Sequence, residues 1–394
     1  MTTFANELNQ RTAALREQNL FRELHCVDSA QGSRIEIGGE VFLNFSSNDY
    51  LGLANHPALK AAAIKAVEKF GAGAGASRLI CGSLSPFHEL ETALAAFKKT
   101  EAALTFATGY AAAVGTITAL LGKKDVIILD KLVHACIVDA AKLSGAKLRV
   151  FAHNDLEDLE AKLKWADKAK AEGGKPKAKI LVVTESVFSM DGDAAPLREI
   201  VTLKEKYGAW LMVDEAHATG ILGKNGRGLA EELDVSSQIE IQMGTLGKAL
   251  GASGGYICGR RALIDFLVNR ARSFIFSTAP VPAAAAAATA GIHLIQSREG
   301  ETRRKGLEAR FGELNAKLKI YKPKFCSAIV PLILGDEAKT VAAANRLREH
   351  NLFVPAIRFP SVARGAARLR ITLTATHSAD AVDTLAEALG KIGE

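Results

Sequence analysis

The chain has 394 residues, 48% of them apolar, with 50 Lys and Arg against 43 Asp and Glu for a formal charge of +7. That size and apolar content suit one large α/β domain plus a smaller one, and exclude a disordered or fibrous chain. The positive charge could help attract acidic or phosphate-bearing ligands. The basic residues are scattered, however, and the one dense stretch, 168–179, contains Gly173, Gly174 and Pro176, so it reads as a solvated loop rather than a nucleic-acid surface.

The opening stretch MTTFANELNQRTAALREQ alternates charged and apolar residues at helical spacing and lacks the unbroken apolar core of a secretory signal. An amphipathic helix and a cytoplasmic location are expected. The five cysteines, Cys26, Cys81, Cys136, Cys258 and Cys326, are far apart and show no paired metal-ligand spacing. Reduced thiols and no metal are expected. SRIEIGGEVFLNF predicts a hairpin turning at Gly38 and Gly39, followed by the loop SSNDYLGL. GAGAGA at 71–76 superficially matches the dinucleotide motif of a nicotinamide oxidoreductase. That motif must leave a strand and open a helix, whereas the preceding AAAIKAVEKF is itself helical, so a substrate or interface loop is expected instead.

TGYAAAVGTITAL predicts a helix beginning at Thr108, Gly109 and Tyr110, whose free amides and positive dipole end suit a phosphate. Short apolar runs then alternate with helical stretches: 126–130, 148–152, 180–185, 210–214, 239–243 and 255–258. Such strands predict a mostly parallel sheet covered by helices on both faces, in which ligands bind at the carboxyl ends of the strands. Residues 273–297 carry no Asp, Glu, Lys or Arg and are about long enough to span a bilayer. Pro280, Pro282, several hydroxyls and a run of alanines predict a buried loop and helix there, with no membrane contact. Beyond Pro282 long helices surround short strands at 328–334 and 369–373. The expected organisation is an arm of helix and hairpin at 1–47, a large α/β domain at 48–281 and a smaller α+β domain at 282–394.

Chemistry concentrates in two strand ends. WLMVDEAHATG places Asp214 at the end of one strand with His217 three residues on, and GTLGKALGASGG places Lys248 beyond the next among glycines that let a flat ligand approach. A carboxylate at such an end can pair with a protonated ring nitrogen and keep a ring cationic. Each residue alone has a bland reading: Asp214 as a helix cap, His217 as a buried histidine, Lys248 as a loop lysine. The joint pattern points to a pyridoxal 5'-phosphate site. DKLVHAC sets His134 past another strand end, where its flat ring could stack on a cofactor.

Together NFSSNDYLGL, ASRLICGSLSPFHELE, TGYAAAVG, DKLVHAC, FAHND, TESVFSMDGDAAPL, LMVDEAHATGILG, TLGKALG, FIFST and RFPSVARGAARLRITLTATH resemble the α-oxoamine synthase family of pyridoxal-phosphate enzymes, over nearly the whole chain. The resemblance implies the fold-type I transferase architecture and a decarboxylative condensation of an amino acid with an acyl thioester of coenzyme A or acyl carrier protein. It implies that Lys248 carries the cofactor as a Schiff base, Asp214 pairs with the ring nitrogen, His217 donates to the ring hydroxyl and His134 stacks on the ring. Gly109, Tyr110, Glu185, Ser189 and Thr245 match cofactor-holding positions, and Ser277 and Thr278 match a pair lent to the phosphate by the other subunit of a homodimer. Arg22, Asn48, Ser361 and Arg370 match substrate positions, with Arg370 on the amino-acid carboxylate. Within the family, NFSSNDYLGL and the C-terminal motif look most like the branch that joins L-alanine to a pimeloyl thioester in biotin synthesis. RLICGS also occurs in members that acetylate glycine, and Arg-Phe-Pro-Ser at 358–361 stands where the alanine-using branch typically has Arg-Pro-Pro-Thr.

Overall fold

The computed structural model describes residues 3–171, 178–318 and 327–392, so Cys326 and residues 172–177 of the basic stretch 168–179 lie outside the described residues. The strands in chain order are β1 Arg34–Ile37, β2 Glu40–Asn44, β3 Ala102–Phe106, β4 Val126–Asp130, β5 Lys147–Phe151, β6 Ile180–Glu185, β7 Trp210–Asp214, β8 Ile241–Thr245, β9 Gly255–Gly259, β10 Ile329–Gly335, β11 Leu352–Phe353, β12 Ala356–Ile357 and β13 Ala367–Thr372. They are distributed over two compact units. One comprises Leu51–Ser189 and Asp193–Lys305; the other comprises Met1–Tyr50, Met190–Gly192 and Gly306–Glu394.

The larger unit is built on a seven-stranded sheet of order β3-β9-β8-β7-β6-β4-β5. Strands β4 to β8 pair in parallel, and β9 pairs antiparallel with β8 and β3. Every residue of β4 and β6 is buried, the unbroken apolar pattern of strands covered on both faces. On one face Ile127, Leu129, Leu181, Val183, Met212 and Ile257 pack with Ile117, Ile137 and Leu267 from the helices Gly109–Leu120, Ala135–Ser144 and Arg261–Arg270. Each such side chain stabilises the fold by about 1.5–3 kcal/mol on full burial. The helices Leu156–Ala171 and Leu197–Lys206 lie against strands of the same sheet.

The alanine-rich stretch forms the helix Pro282–Ile295, with Ala285, Ala288, Gly291 and Ile292 buried. It packs on the helices Pro57–Phe70 and Ser85–Lys98, so the larger unit continues to Lys305 rather than ending at 281. No described helix is long and apolar enough to cross a membrane. The glycine loop at 71–76 follows the helix Pro57–Phe70, not a strand, and the dinucleotide reading fails on that ground.

In the smaller unit the expected hairpin forms, with Ile37 opposite Glu40 across Gly38 and Gly39, both at positive φ. A lone hairpin is marginal in water. Here β2 also pairs in parallel with β11, Leu43 opposite Leu352, so the N-terminal arm is part of the C-terminal unit rather than a separate segment. The second sheet has the order β10-β13-β12. The helix Phe4–Glu17 forms as expected, but its apolar residues bury nothing within the chain.

Candidate active site

Strand order fixes where a site can form. From β4 the chain passes to β5 on one side, and β6 then takes the other side of β4. The crevice beyond the carboxyl ends at such a reversal is the usual binding position in an open α/β sheet. Asp130 ends β4, Glu185 ends β6, Asp214 ends β7 and Thr245 ends β8. Register places Glu185 beside Asp214, and Asp214 beside Met243.

After β7 the chain turns at once. The amide of Ala216 donates to Asp214 Oδ1 at 2.9 Å, and the amides of Ala218 and Thr219 donate to the Glu215 carbonyl. This turn presents His217, whose Nε2 lies 2.7 Å from Lys248 Nζ. Lys248 sits three residues past β8, in a loop closed by the Gly251 amide donating to the Lys248 carbonyl. β8 starts at Ile241, not 239, because 236–238 form a 3-10 turn. Asp214 is buried, which raises its pKa against the opposing Lys248 charge and the Ala216 amide.

Glu185 is buried beside Asp214. Burial first, then the Asp214 charge, lift its pKa to about 8. Its carboxyl accepts the His134 amide at 2.5 Å and the Ser189 amide, so it joins the loop after β4 to the loop after β6. His134 caps the helix Ala135–Ser144 by accepting the Cys136 amide on Nδ1 at 3.2 Å. Partial loss of hydration lowers its pKa, with Asp214 and Lys248 acting in opposite senses, and leaves the ring neutral near pH 7.

The helix Gly109–Leu120 starts as expected, Thr108 Oγ1 accepting the Ala111 amide at 3.0 Å. Its first turn is pressed against β9: a Cβ added at Gly255 would lie 2.6 Å from Gly109 Cα and N. Tyr110 is exposed and its hydroxyl donates to Asp139 Oδ2 at 2.9 Å. Thr245 Oγ1 donates to the Gly254 carbonyl and accepts the Gly247 amide. Ser277 and Thr278 lie on a segment that pairs with the loop after residue 76, Thr278 opposite Ser77.

The substrate positions fall in the smaller unit. Arg370 of β13 is buried and donates to Asn48 Oδ1 at 3.2 Å and Thr372 Oγ1 at 2.9 Å; the Tyr50 hydroxyl also reaches Asn48 Oδ1. Arg22 donates to the Phe359 carbonyl at 3.1 Å, and the Ser361 amide closes the same loop onto the Arg358 carbonyl.

Sequence reasoning does not single out two arrangements, one buried and one half-buried. Lys98 and Glu215 form an ion pair in the larger unit, and His153 bridges Asp130 and Asp193. His153 stands in FAHND one residue past the strand expected at 148–152, a signal that points to the strand end. Lys98 ends the helix Ser85–Lys98, and no local pattern marks its amine as buried. A cavity of about 800 Å³ lined by Trp210, Ile239, Leu263 and Phe266 lies at the amino ends of the strands, where it includes none of the residues around Lys248.

Residues 40–389 match the family model described as aminotransferase class I and II. The 8-amino-7-oxononanoate synthase of Geotalea daltonii is 47% identical over 100% of this chain and 98% of its own length; that of Geobacter sulfurreducens is 45% identical with the same coverage. Among solved structures, serine palmitoyltransferase from S. paucimobilis with bound PLP-myriocin superposes at a TM-score of 0.90 with 30% identity, over 98% of this chain and 97% of the other. An 8-amino-7-oxononanoate synthase from Francisella tularensis superposes at 0.74 with 28% identity, over 89% and 96%.

Proposed function

This chain belongs to the aminotransferase class I and II family, and from that premise we propose that it is a pyridoxal-phosphate acyltransferase of the fold-type I class that condenses L-alanine with a pimeloyl thioester. The products are 8-amino-7-oxononanoate, carbon dioxide and the free thiol, a step of biotin synthesis. The observation that carries the reading is the Lys248 amine held 2.7 Å from His217 beside buried Asp214.

The residues present fit the cofactor. A buried carboxylate suits a cationic ring nitrogen, and the twelve-residue helix from Gly109 offers its first amides to a phosphate. The space at Gly255 is closed to any side chain, which keeps that helix start against the strand. Lys248 and Asp214 would hold the aldehyde and the ring, Thr245, Gly109, Tyr110 and Ser189 would hold the cofactor beside them, and Ser277 and Thr278 would be lent to the phosphate of the other subunit's site. When bound, pyridoxal phosphate supplies an electron sink for the carbanions left by C–H and C–C cleavage.

The chain's own residues then divide the work. Lys248 is the base that takes the α-proton of alanine, and His217 serves as the donor to the ring hydroxyl. Asp214 stabilises positive charge at the ring nitrogen. His134, neutral near pH 7, is the proposed donor to the oxygen of the thioester as charge develops there. Arg370 grips the amino-acid carboxylate as a bidentate donor, pre-aligned by Asn48 and Thr372. Arg22 and Ser361 serve the acyl substrate.

A second reading comes from the solved neighbours, which include serine palmitoyltransferases at a TM-score of 0.90. The test is release of coenzyme A by the purified protein with three pairs: alanine with pimeloyl-coenzyme A, serine with palmitoyl-coenzyme A, and glycine with acetyl-coenzyme A. We expect the first pair to be turned over fastest and Lys248→Ala to abolish both turnover and the visible absorbance of the lysine-bound cofactor. Preference for either other pair overturns the substrate assignment, and a colourless wild type overturns the class. The same reading makes the protein a homodimer of the cytoplasm with shared sites. Exposed Ile80 and Phe276, 80% and 72% accessible on the paired segments around Ser77 and Thr278, support that pairing. A monomeric holoenzyme in sedimentation equilibrium would argue against it.

A further inference from the structure

His153 lies between two carboxylates. Its Nδ1 is 3.0 Å from Asp130 Oδ1 and its Nε2 is 2.8 Å from Asp193 Oδ2. A neutral imidazole has one N–H and one lone pair, so one of these contacts would set a lone pair against a carboxylate. Only the imidazolium, with a proton on each nitrogen, satisfies both. Burial opposes the charge, but the hydrogen bonds to Asp130 and then Asp193 outweigh it and hold the pKa at about 10.

The two acids belong to different loops. Asp130 ends β4, its side chain fully buried, and it also accepts the Leu132 amide at 2.8 Å and the Asn154 amide at 2.9 Å. It therefore fixes the start of the loop that reaches His134. Asp193 closes the loop after β6: its carbonyl accepts the Phe188 amide at 3.0 Å, and Val187 pairs with Ala194. Phe188, next to Ser189, is buried and meets the His153 ring edge-on at 4.4 Å. Asn154 Nδ2 adds bonds to Asp193 Oδ2 and the Ala194 carbonyl. Glu185 already joins His134 and Ser189 through their amides. His153 joins the same two loops farther along, so a displacement of either would have to break both links.

We propose that His153 is a positioning residue, a standing cation that clamps the loops carrying His134 and Ser189 without touching substrate or cofactor. The consequence drawn for cofactor retention rests on the reading of His134 and Ser189 as cofactor contacts.

The test uses full-length holoenzyme labelled with ¹⁵N-histidine, His153 being identified by the signals missing in His153→Gln. At about pH 8.5 both ring nitrogens of His153 are expected to be protonated, where an unperturbed histidine is neutral. A single-tautomer neutral ring there overturns the clamp. His153→Gln, with wild-type circular dichroism, is expected to lose pyridoxal phosphate about tenfold faster and to show the deficit in kcat more than in KM for alanine, the scale of a lost charged hydrogen bond. Retention like that of the wild type overturns it. Should that variant not fold, Asp193→Asn carries the test: it leaves an oxygen for Nε2 but removes a charge. The His153 titration is expected to fall, with faster cofactor loss; an unmoved titration and retention overturn the proposal. A wild type that never holds pyridoxal phosphate defeats the functional reading instead and leaves the histidine titration as the test of the clamp.

Discussion

Removing the ammonium of Lys98 tests the frame that holds Asp214 and His217. Lys98 Nζ lies 3.5 Å from Glu215 Oε2, with the two side chains 1% and 0% exposed. Lys98 also donates to the Arg227 carbonyl and lies 3.5 Å from Thr219 Oγ1. At an effective dielectric of about 20, a pair at this distance attracts by roughly 5 kcal/mol. Breaking a buried pair by removing one partner costs about 3–5 kcal/mol, because the other charge stays buried. Lys98→Met is therefore expected to destabilise the larger unit by about that much at pH 8. The deficit should depend on pH with a definite sign. Burial already holds the Glu215 pKa above its ordinary 4.5, with Lys98 opposing, and loss of Lys98 removes that opposition. An acid whose folded pKa exceeds its unfolded one binds more protons when folded, so it weakens the fold as pH rises past the unfolded value. The deficit should then shrink toward pH 5, where Glu215 can take a proton. Lys98→Met with Glu215→Gln should recover most of the loss, since the amide oxygen can still accept from Ala230 as Glu215 Oε1 does. Urea unfolding followed by tryptophan fluorescence reads the right region, because both tryptophans, Trp165 and Trp210, lie in the larger unit. A deficit below about 1 kcal/mol, or one equal at pH 5 and pH 8, would refute the account, because it would place the pair in the range of exposed ones.

Two further outcomes follow from the site. Asp214→Asn exchanges a buried carboxylate for a neutral amide and should lower kcat by about ten- to a hundredfold, the range of a lost charged hydrogen bond; steady-state turnover with alanine and pimeloyl-coenzyme A measures it, and undiminished turnover would remove Asp214 from the site. Gly255→Ala puts a methyl 2.6 Å from Gly109 Cα and the Thr108 carbonyl, which should cost about 1–3 kcal/mol of stability and weaken cofactor retention in equilibrium dialysis, since the helix start must move.

How far the sequence could be read depended on what set each feature. β4, β6 and β7 were legible to the residue because an apolar run buried on both faces leaves little choice of register. β3 was not: AALTF is short, joins a helix, and becomes a strand only by pairing with β9. The start of β8 was read two residues early because 239 and 240 continue its β-rich pattern while the 3-10 turn at 236–238 delays pairing. The unit boundary was misplaced for a similar reason. The alanine helix has no pattern of its own that says which neighbours it packs against, and the helices it meets lie more than 180 residues upstream. At the site, Lys248, Asp214 and His217 were readable as a set because strand-end position and spacing carry chemistry. The bridge at His153 joins three loops, and no local pattern encodes a contact of that range.

Glu185 and Asp214 show why strand-end position alone does not assign a role. They are register partners on adjacent parallel strands, both buried and both carboxylic, so a ring nitrogen could be given to either. Their surroundings separate them. For Asp214 the Lys248 charge and the Ala216 amide oppose desolvation. Glu185 has the Asp214 charge added to its own burial and is lifted to about 8, so near pH 7 it is mostly neutral. Two adjacent carboxyls cannot both ionise cheaply, and burial raises the pKa of each while Lys248 opposes it in each. Glu185 spends its oxygens on the amides of His134 and Ser189, which leaves Asp214 as the proposed partner for a cationic ring. The division also limits the pH range. Because the folded pKa of Glu185 exceeds its unfolded one, the fold loses stability as pH climbs from about 4.5 toward 8, and above that a second negative charge stands beside Asp214. The loops it holds are those that His153 clamps from the other end, and the imidazolium there persists until about 10. The outer link therefore stays in place over the interval in which the inner one becomes charged.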